Sequence, residues 1–177
     1  VNDPNGFVPA YHMSGGVIRP SEFDIQSGAT GDIFAGDVVK LASGYVLQGG
    51  ATDAPLGVFY GVEYVQTDGE IVFSRKWPSG TSTLGSKNAK AYVYADPNIV
   101  YEAQFTGTPS QADIGKVHTI STTAGDSNNN RSKEGVTTTT ASGIAKLVAY
   151  VDKPDNSANA QYAKGYFIFP ASVFGND

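Results

Sequence analysis

Apolar residues in this chain come in short runs dense in β-branched and aromatic side chains, and turn-forming residues separate the runs. Leu56 to Gln66 (LGVFYGVEYVQ) and Glu70 to Arg75 (EIVFSR) flank Thr67-Asp68-Gly69. Asp-Gly between two β-rich runs predicts a hairpin. Asp37 to Leu41 and Tyr45 to Gln48 flank Ala42-Ser43-Gly44 and predict a second hairpin. Ala89 to Ala95 and Ile99 to Phe105 flank Asp96-Pro97-Asn98, a third turn. Glu22 to Gln26, Lys116 to Ser121, Ile144 to Val151 and Tyr162 to Phe169 supply the remaining strands. Helical character is confined to Pro109 to Ile114, where Pro109 and Ser110 start a short turn and Gly115 ends it. Many short strands at close spacing predict an all-β, single-domain β-barrel or β-sandwich with at most one short helix.

Two stretches break this pattern. In residues 1–20, Pro4, Pro9 and Pro20 oppose a ladder or a helix, and Gly6, Gly15 and Gly16 loosen the backbone. Phe7, Val8, Tyr11, Met13, Val17 and Ile18 are nevertheless apolar, which does not suit a free tail. Fully extended, twenty residues reach about 65–70 Å. The segment is therefore expected to be an N-terminal arm, folded back over its own domain or laid across a neighbouring subunit. Phe7, Val8, Tyr11, Val17 and Ile18 are its candidate interface residues. The second stretch, Thr122 to Ser142, holds GDSNNNRSKEG and four consecutive threonines, Thr137 to Thr140. It reads as a long exposed loop or a hairpin tip. The expected organisation is an arm at 1–20 and one β domain at 21–177, with a polar loop at 122–142.

Composition narrows the function. Charged residues make up 16% of the 177 residues, against about 25% in ordinary globular proteins. Much of the surface must then be Ser, Thr, Asn, Gln and Gly, which suits protein–protein contact. The net charge of −5, with basic residues scattered and only Arg75-Lys76 adjacent, argues against nucleic-acid binding. The absence of cysteine excludes disulfides and thiol catalysis. No run approaches 18 apolar residues, so no membrane span is expected, and the first residues do not read as a signal peptide.

Tests for chemistry yield no site. Asp126-Ser-Asn128-Asn-Asn130 begins like a calcium loop, but Arg131 stands where glycine is needed and Thr137 where an acid is needed. His12 and His118 are the two histidines, too few for a three-imidazole metal site. His118 is expected on the polar face of a strand, as a surface or interface residue. Glu63 with Glu70, and Asp152 with Asp155, are the acid pairs available for glycoside hydrolysis, which needs carboxyls about 5–9.5 Å apart. Seventeen acids form such pairs by chance. No catalytic residue, cofactor or metal is expected. Phe59, Tyr60, Tyr64, Phe73, Trp77, Tyr92, Tyr94 and Tyr101 cluster centrally, as cross-strand packing, a sugar-stacking platform or an assembly interface. Trp77, at a strand end, joins the candidate interface residues because Trp is a favoured anchor.

Phe7-Val-Pro, Gly16-Val-Ile-Arg19, Gly36-Asp37-Val-Val and Gly57-Val-Phe-Tyr-Gly-Val-Glu-Tyr64 carry a resemblance through most of the chain. Phe73-Ser-Arg-Lys-Trp77-Pro-Ser-Gly-Thr81, Ala91-Tyr-Val-Tyr-Ala-Asp-Pro97 and Asp152-Lys-Pro-Asp155 extend it. These segments resemble virion structural proteins of tailed bacteriophages that are encoded near the major capsid protein. The resemblance implies a capsid decoration (cement) protein on the exterior of an HK97-type head. Such proteins are mostly β-structured, often trimeric, and tie major capsid protein subunits together, commonly through terminal arms. Many are shorter than this chain, which leaves 122–142 as an addition. A glycan-binding module of a phage appendage, and a head-completion or minor tail protein, are the alternatives.

Overall fold

The computed structural model describes residues 1–175. Its strands in chain order are β1 (Val8–His12), β2 (Ser21–Ile25), β3 (Ile33–Phe34), β4 (Val38–Ala42) and β5 (Tyr45–Gln48), followed by β6 (Gly57–Val65), β7 (Ile71–Ser74) and β8 (Lys76–Trp77). Beyond these come β9 (Ala89–Tyr94), β10 (Ile99–Gln104), β11 (Val117–His118), β12 (Ile120–Ser121), β13 (Gly135–Val136), β14 (Ala145–Tyr150) and β15 (Lys164–Ile168). Among the described residues the helical segments are single 3-10 turns, Leu84–Ser86 and Gln111–Asp113. The second falls inside the expected helical segment, where the Ser110 N–H donates to the Asp113 carboxylate at 2.8 Å. The chain is all-β.

Five strands close into a barrel. The order β4-β5-β2-β9-β6 runs round the wall, and β6 returns to β4 through Val38↔Val58 and Val39↔Gly57. β7 hangs on the outer side of β6 as an edge strand. Both predicted hairpins form. In β4–β5, Ala42 pairs with Tyr45 around Ser43 and Gly44, whose φ angles of 51° and 84° make the two-residue turn that fits strand twist. In β6–β7, Val65 pairs with Ile71. The Asp96-Pro97-Asn98 turn has a different use: it passes the chain from β9 in the barrel to β10 in a second sheet. That sheet has the order β1-β10-β15-β14-β11.

The two units share a wall. Val39 and Phe59 point into the barrel core, with Ile25, Val46, Leu56, Val62 and Trp77. Their neighbours Val38 and Val58 point the other way, into the core under the second sheet, with Tyr101, Phe105, Leu147 and Phe167. Successive residues of a strand face opposite sides, so β4 and β6 must be apolar at consecutive positions. This explains why Val38-Val39 and Val58-Phe59 do not alternate with polar residues.

Residues 8–12 form a strand, contrary to the proline-based expectation. β1 is the edge of the second sheet and pairs with β10, with a register break between Pro9 and Tyr11. A sheet tolerates proline at such an edge or bulge. Phe7, just before β1, is fully buried against Tyr101, Phe167 and Phe169. The stretch 122–142 is also not wholly exposed: Ser132, Glu134 and Val136 are buried, and β13 pairs with β12.

Trp77 stacks edge-on against Tyr64 at 5.5 Å and donates its indole N–H to the Ala29 carbonyl at 3.2 Å. Trp77→Ala is expected to destabilise the fold by about 3–5 kcal/mol. Chemical denaturation measures this, and a loss below about 1 kcal/mol would show that the barrel core does not depend on it.

Candidate functional site

Of the six residues expected at an interface, two are removed from the surface by the fold. Phe7 is 1% exposed and Trp77 is 0% exposed, each held in a core of its own chain. Val8, Tyr11 and Val17 are 48%, 43% and 71% exposed. Tyr11 leans edge-on against Tyr166 at 5.6 Å. Ile18 is half-buried and lines a cleft. Phe7 thus acts as a peg that fixes the segment, and its neighbours display apolar side chains outward.

The cleft, of about 600 Å³, lies between the N-terminal segment (Phe7, Val8, Pro9, Ile18) and the barrel (Val58, Phe59, Tyr60, Tyr94, Arg75). A second hollow of about 480 Å³ adjoins it and shares Tyr60 and Arg75, with Pro20, Phe73 and Tyr92 around it. Tyr60 reaches this surface because the ladder between β6 and β9 slips between Phe59 and Gly61. Such a bulge redirects a side chain that the pleat would place elsewhere. Phe73, on edge strand β7, is 72% exposed. Isolated exposed apolar residues are ordinary, but a group lining adjoining hollows makes this face the candidate site.

Beside the cleft, behind Gly36, lies a buried acid pair. Asp37 and Glu134 are each 0% exposed. Asp37 accepts the Phe34 N–H at 2.8 Å, and Glu134 accepts the N–H of Val38, next to Asp37, at 2.8 Å. Asp37 Oδ1 and Glu134 Oε1 have no partner among the described residues. Burial pushes Asp37 up from its ordinary 3.8 to about 6. Burial, and then repulsion from Asp37, holds Glu134 well above the usual glutamate range. The N-terminal segment is hydrogen-bonded to the backbone beside this pair. The Gly6 N–H donates to the Glu134 carbonyl at 3.1 Å and the Phe7 N–H to the Gly36 carbonyl at 2.9 Å. At Gly6, with φ of 69°, a Cβ would stand 2.4 Å from the Gly36 oxygen.

The acids paired on paper do not form a site. Glu63 lies opposite Phe73 rather than Glu70, and it accepts the Tyr92 hydroxyl at 2.9 Å. Asp152 and Asp155 are exposed. No group of three or more His, Cys, Asp or Glu placed to hold a metal occurs among the described residues. Asp126 instead caps its own turn, accepting from the Asn128 N–H and the Asn129 amide. His118 is not on the surface: it is fully buried, edge-on to Phe105 at 5.3 Å. The meeting of Asp37 with Glu134 has no sequence signature, because Glu134 sits in a run of polar and charged residues that reads as solvated.

Compared with known proteins, the chain matches no family model, no curated sequence and no solved structure.

The acid pair makes stability depend on pH. Both groups bind protons more tightly in the folded chain, so stability falls as pH rises from about 4 through the folded pKa of Asp37 near 6 and on through that of Glu134. Asp32 and Asp96 are lowered, chiefly by the backbone N–H groups of Ser79 and Asn98, and their contribution is lost only as pH drops below about 4. The melting temperature is expected to be lower at pH 7.5 than at pH 5, and Asp37→Asn should flatten that slope. A slope of opposite sign, or one unaltered in the variant, would refute this. Gly6→Ala is expected to cost about 3 kcal/mol or more, from the positive φ and the clash. Denaturant titration reads it, and a neutral result would mean that the segment does not pass over Gly36 and Ser132 as closely as described.

Proposed function

We propose that this chain is a structural protein of a tailed-bacteriophage virion, a decoration protein seated on the outside of the head. In this reading it is a homotrimer that bridges major capsid protein subunits and performs no chemical reaction. The observation that carries it is the apolar display of Val8, Tyr11 and Val17 on a segment pegged to the body by Phe7. A rigid apolar edge loses little conformational entropy on docking. The thin charge coat and the sequence segments that resemble phage head-associated proteins support the same reading.

The mechanism is mechanical. A shell under internal DNA pressure fails at subunit junctions, and a bridging protein adds buried surface there. A contact of standard size buries about 1,200–2,000 Å² in total. Many identical copies make the gain collective. The glycan-binding alternative loses Trp77 as a stacking platform, since that ring is enclosed in the barrel.

Gel analysis of purified particles is expected to show the chain at a copy number matching the shell lattice. A single-ring copy number would instead indicate a head-completion or tail component, and absence from heads would end the proposal. Deleting residues 1–20 would also remove Phe7 from the core, so the interface is better probed by the triple variant Val8→Ser, Tyr11→Ser, Val17→Ser. It should keep its fold by circular dichroism while its occupancy on heads falls at least about tenfold. Full occupancy would take this face out of the mechanism.

A further inference from the structure

The chain has three arginines, Arg19, Arg75 and Arg131, in a protein of net charge −5. Arg75 and Arg131 line the larger hollow. Arg19 lies between Ile18, which lines the larger hollow, and Pro20, which lines the smaller. No lysine lines either one. Arg131 is spent on Asp3, at 2.9 Å. The guanidinium groups of Arg75 and Arg19 are exposed and have neither an ion pair nor a hydrogen bond among the described residues. The groove is thus aromatic-walled and carries unpaired guanidinium charge in a chain of net charge −5, with one carboxylate, Glu63, held by the Tyr92 hydroxyl at 2.9 Å.

From this we infer that the groove receives an extended polypeptide segment that presents carboxylates between apolar side chains. The proposal deepens the assembly reading and rests on it for the occupant being a protein. Guanidinium forks match carboxylates in two-point geometry, which a scatter of lysines does not. Tyr60, Tyr94 and Phe73 supply the large apolar contacts that anchor interfaces. The groove borders two sheet edges, because β1 ends the second sheet and β7 ends the strand order of the barrel sheet. An extended chain pairs readily with such edges through main-chain hydrogen bonds. A sugar fits the site less well: Tyr60 and Tyr94 meet edge-on, at 65° and 5.6 Å, and offer no shared stacking face. Nucleic acid would need cations repeated along its phosphates, and here two free guanidiniums stand alone.

Amide NMR titration of the full chain with blocked octapeptides tests the assignment, using valine alternating with glutamate, with glutamine or with lysine. The glutamate peptide is expected to shift the resonances of residues 18–20, 60, 73–75 and 94, and to weaken as salt is raised. The double variant Arg19→Gln, Arg75→Gln should keep its melting temperature and bind that peptide at least about tenfold more weakly, since each lost charged hydrogen bond carries a factor of that order. Equal binding of the lysine peptide, unchanged binding by the double variant, or shifts produced by a glucuronate oligosaccharide but by no peptide would overturn the proposal. Normal copy number on heads with no peptide response removes the groove alone. A peptide response from a chain absent from heads removes the assembly reading alone.

Discussion

The closed barrel and the second sheet exist as one body because β4 and β6 are apolar on both faces. Val39 and Phe59 fill one core and Val38 and Val58 fill the other. The backbone hydrogen bonds between β4 and β6 close the barrel, and the same pairing presents a dry outer wall for the second sheet. Each unit depends on the other for this reason. Without the second sheet, Val38 and Val58 would face water, and without β4–β6 closure the second sheet would have nothing to cover. The glycine at the head of β6 fits this crowding, since a Cβ on Gly57 would stand 2.0 Å from the Tyr94 oxygen.

Onto this wall the chain fastens its first residues. Phe7 inserts between the aromatic rings under the second sheet, and Gly6 passes over Gly36 and Ser132 with no room for a side chain. Ionising the two buried acids weakens the fold beside this junction, because each carboxylate there is desolvated and has a backbone N–H but no cation against it. Apolar packing supplies the attachment and the carboxyls set the pH range in which it is strongest. Val8 and Tyr11 are displayed from the edge strand β1, whose register breaks between Pro9 and Tyr11, and Val17 from the loop that follows it.

The groove follows from the same geometry. Its floor is the barrel wall at Val58 and Phe59, one side is the pegged segment, and the other is edge strand β7 at Phe73 with Arg75 just beyond its end. A slip of one residue at Tyr60 lifts an aromatic ring out of the ladder between the two hollows. Groove and scaffold are therefore not separable in this molecule, since the strand that closes the barrel also supplies the groove with Tyr60.

What the sequence by itself determined is local. The hairpins at Ser43-Gly44 and Asp68-Gly69, the capped turn at Ser110, the strand runs and the sparse charge were all legible, because backbone preference acts over a few neighbouring residues. The strand status of residues 8–12 was hidden, because proline opposes a ladder except at an edge or bulge, and only the partner strand makes an edge. Trp77, Phe7 and His118 carry no mark of burial in their neighbours, since enclosure comes from residues far away in the chain. Only the tertiary structure decided the closure of β6 on β4, the meeting of Asp37 with Glu134, and the placing of Arg75 and Arg131 at one hollow. Each joins residues separated by a loop or by most of the chain, and long-range packing, rather than local conformational preference, brings them together.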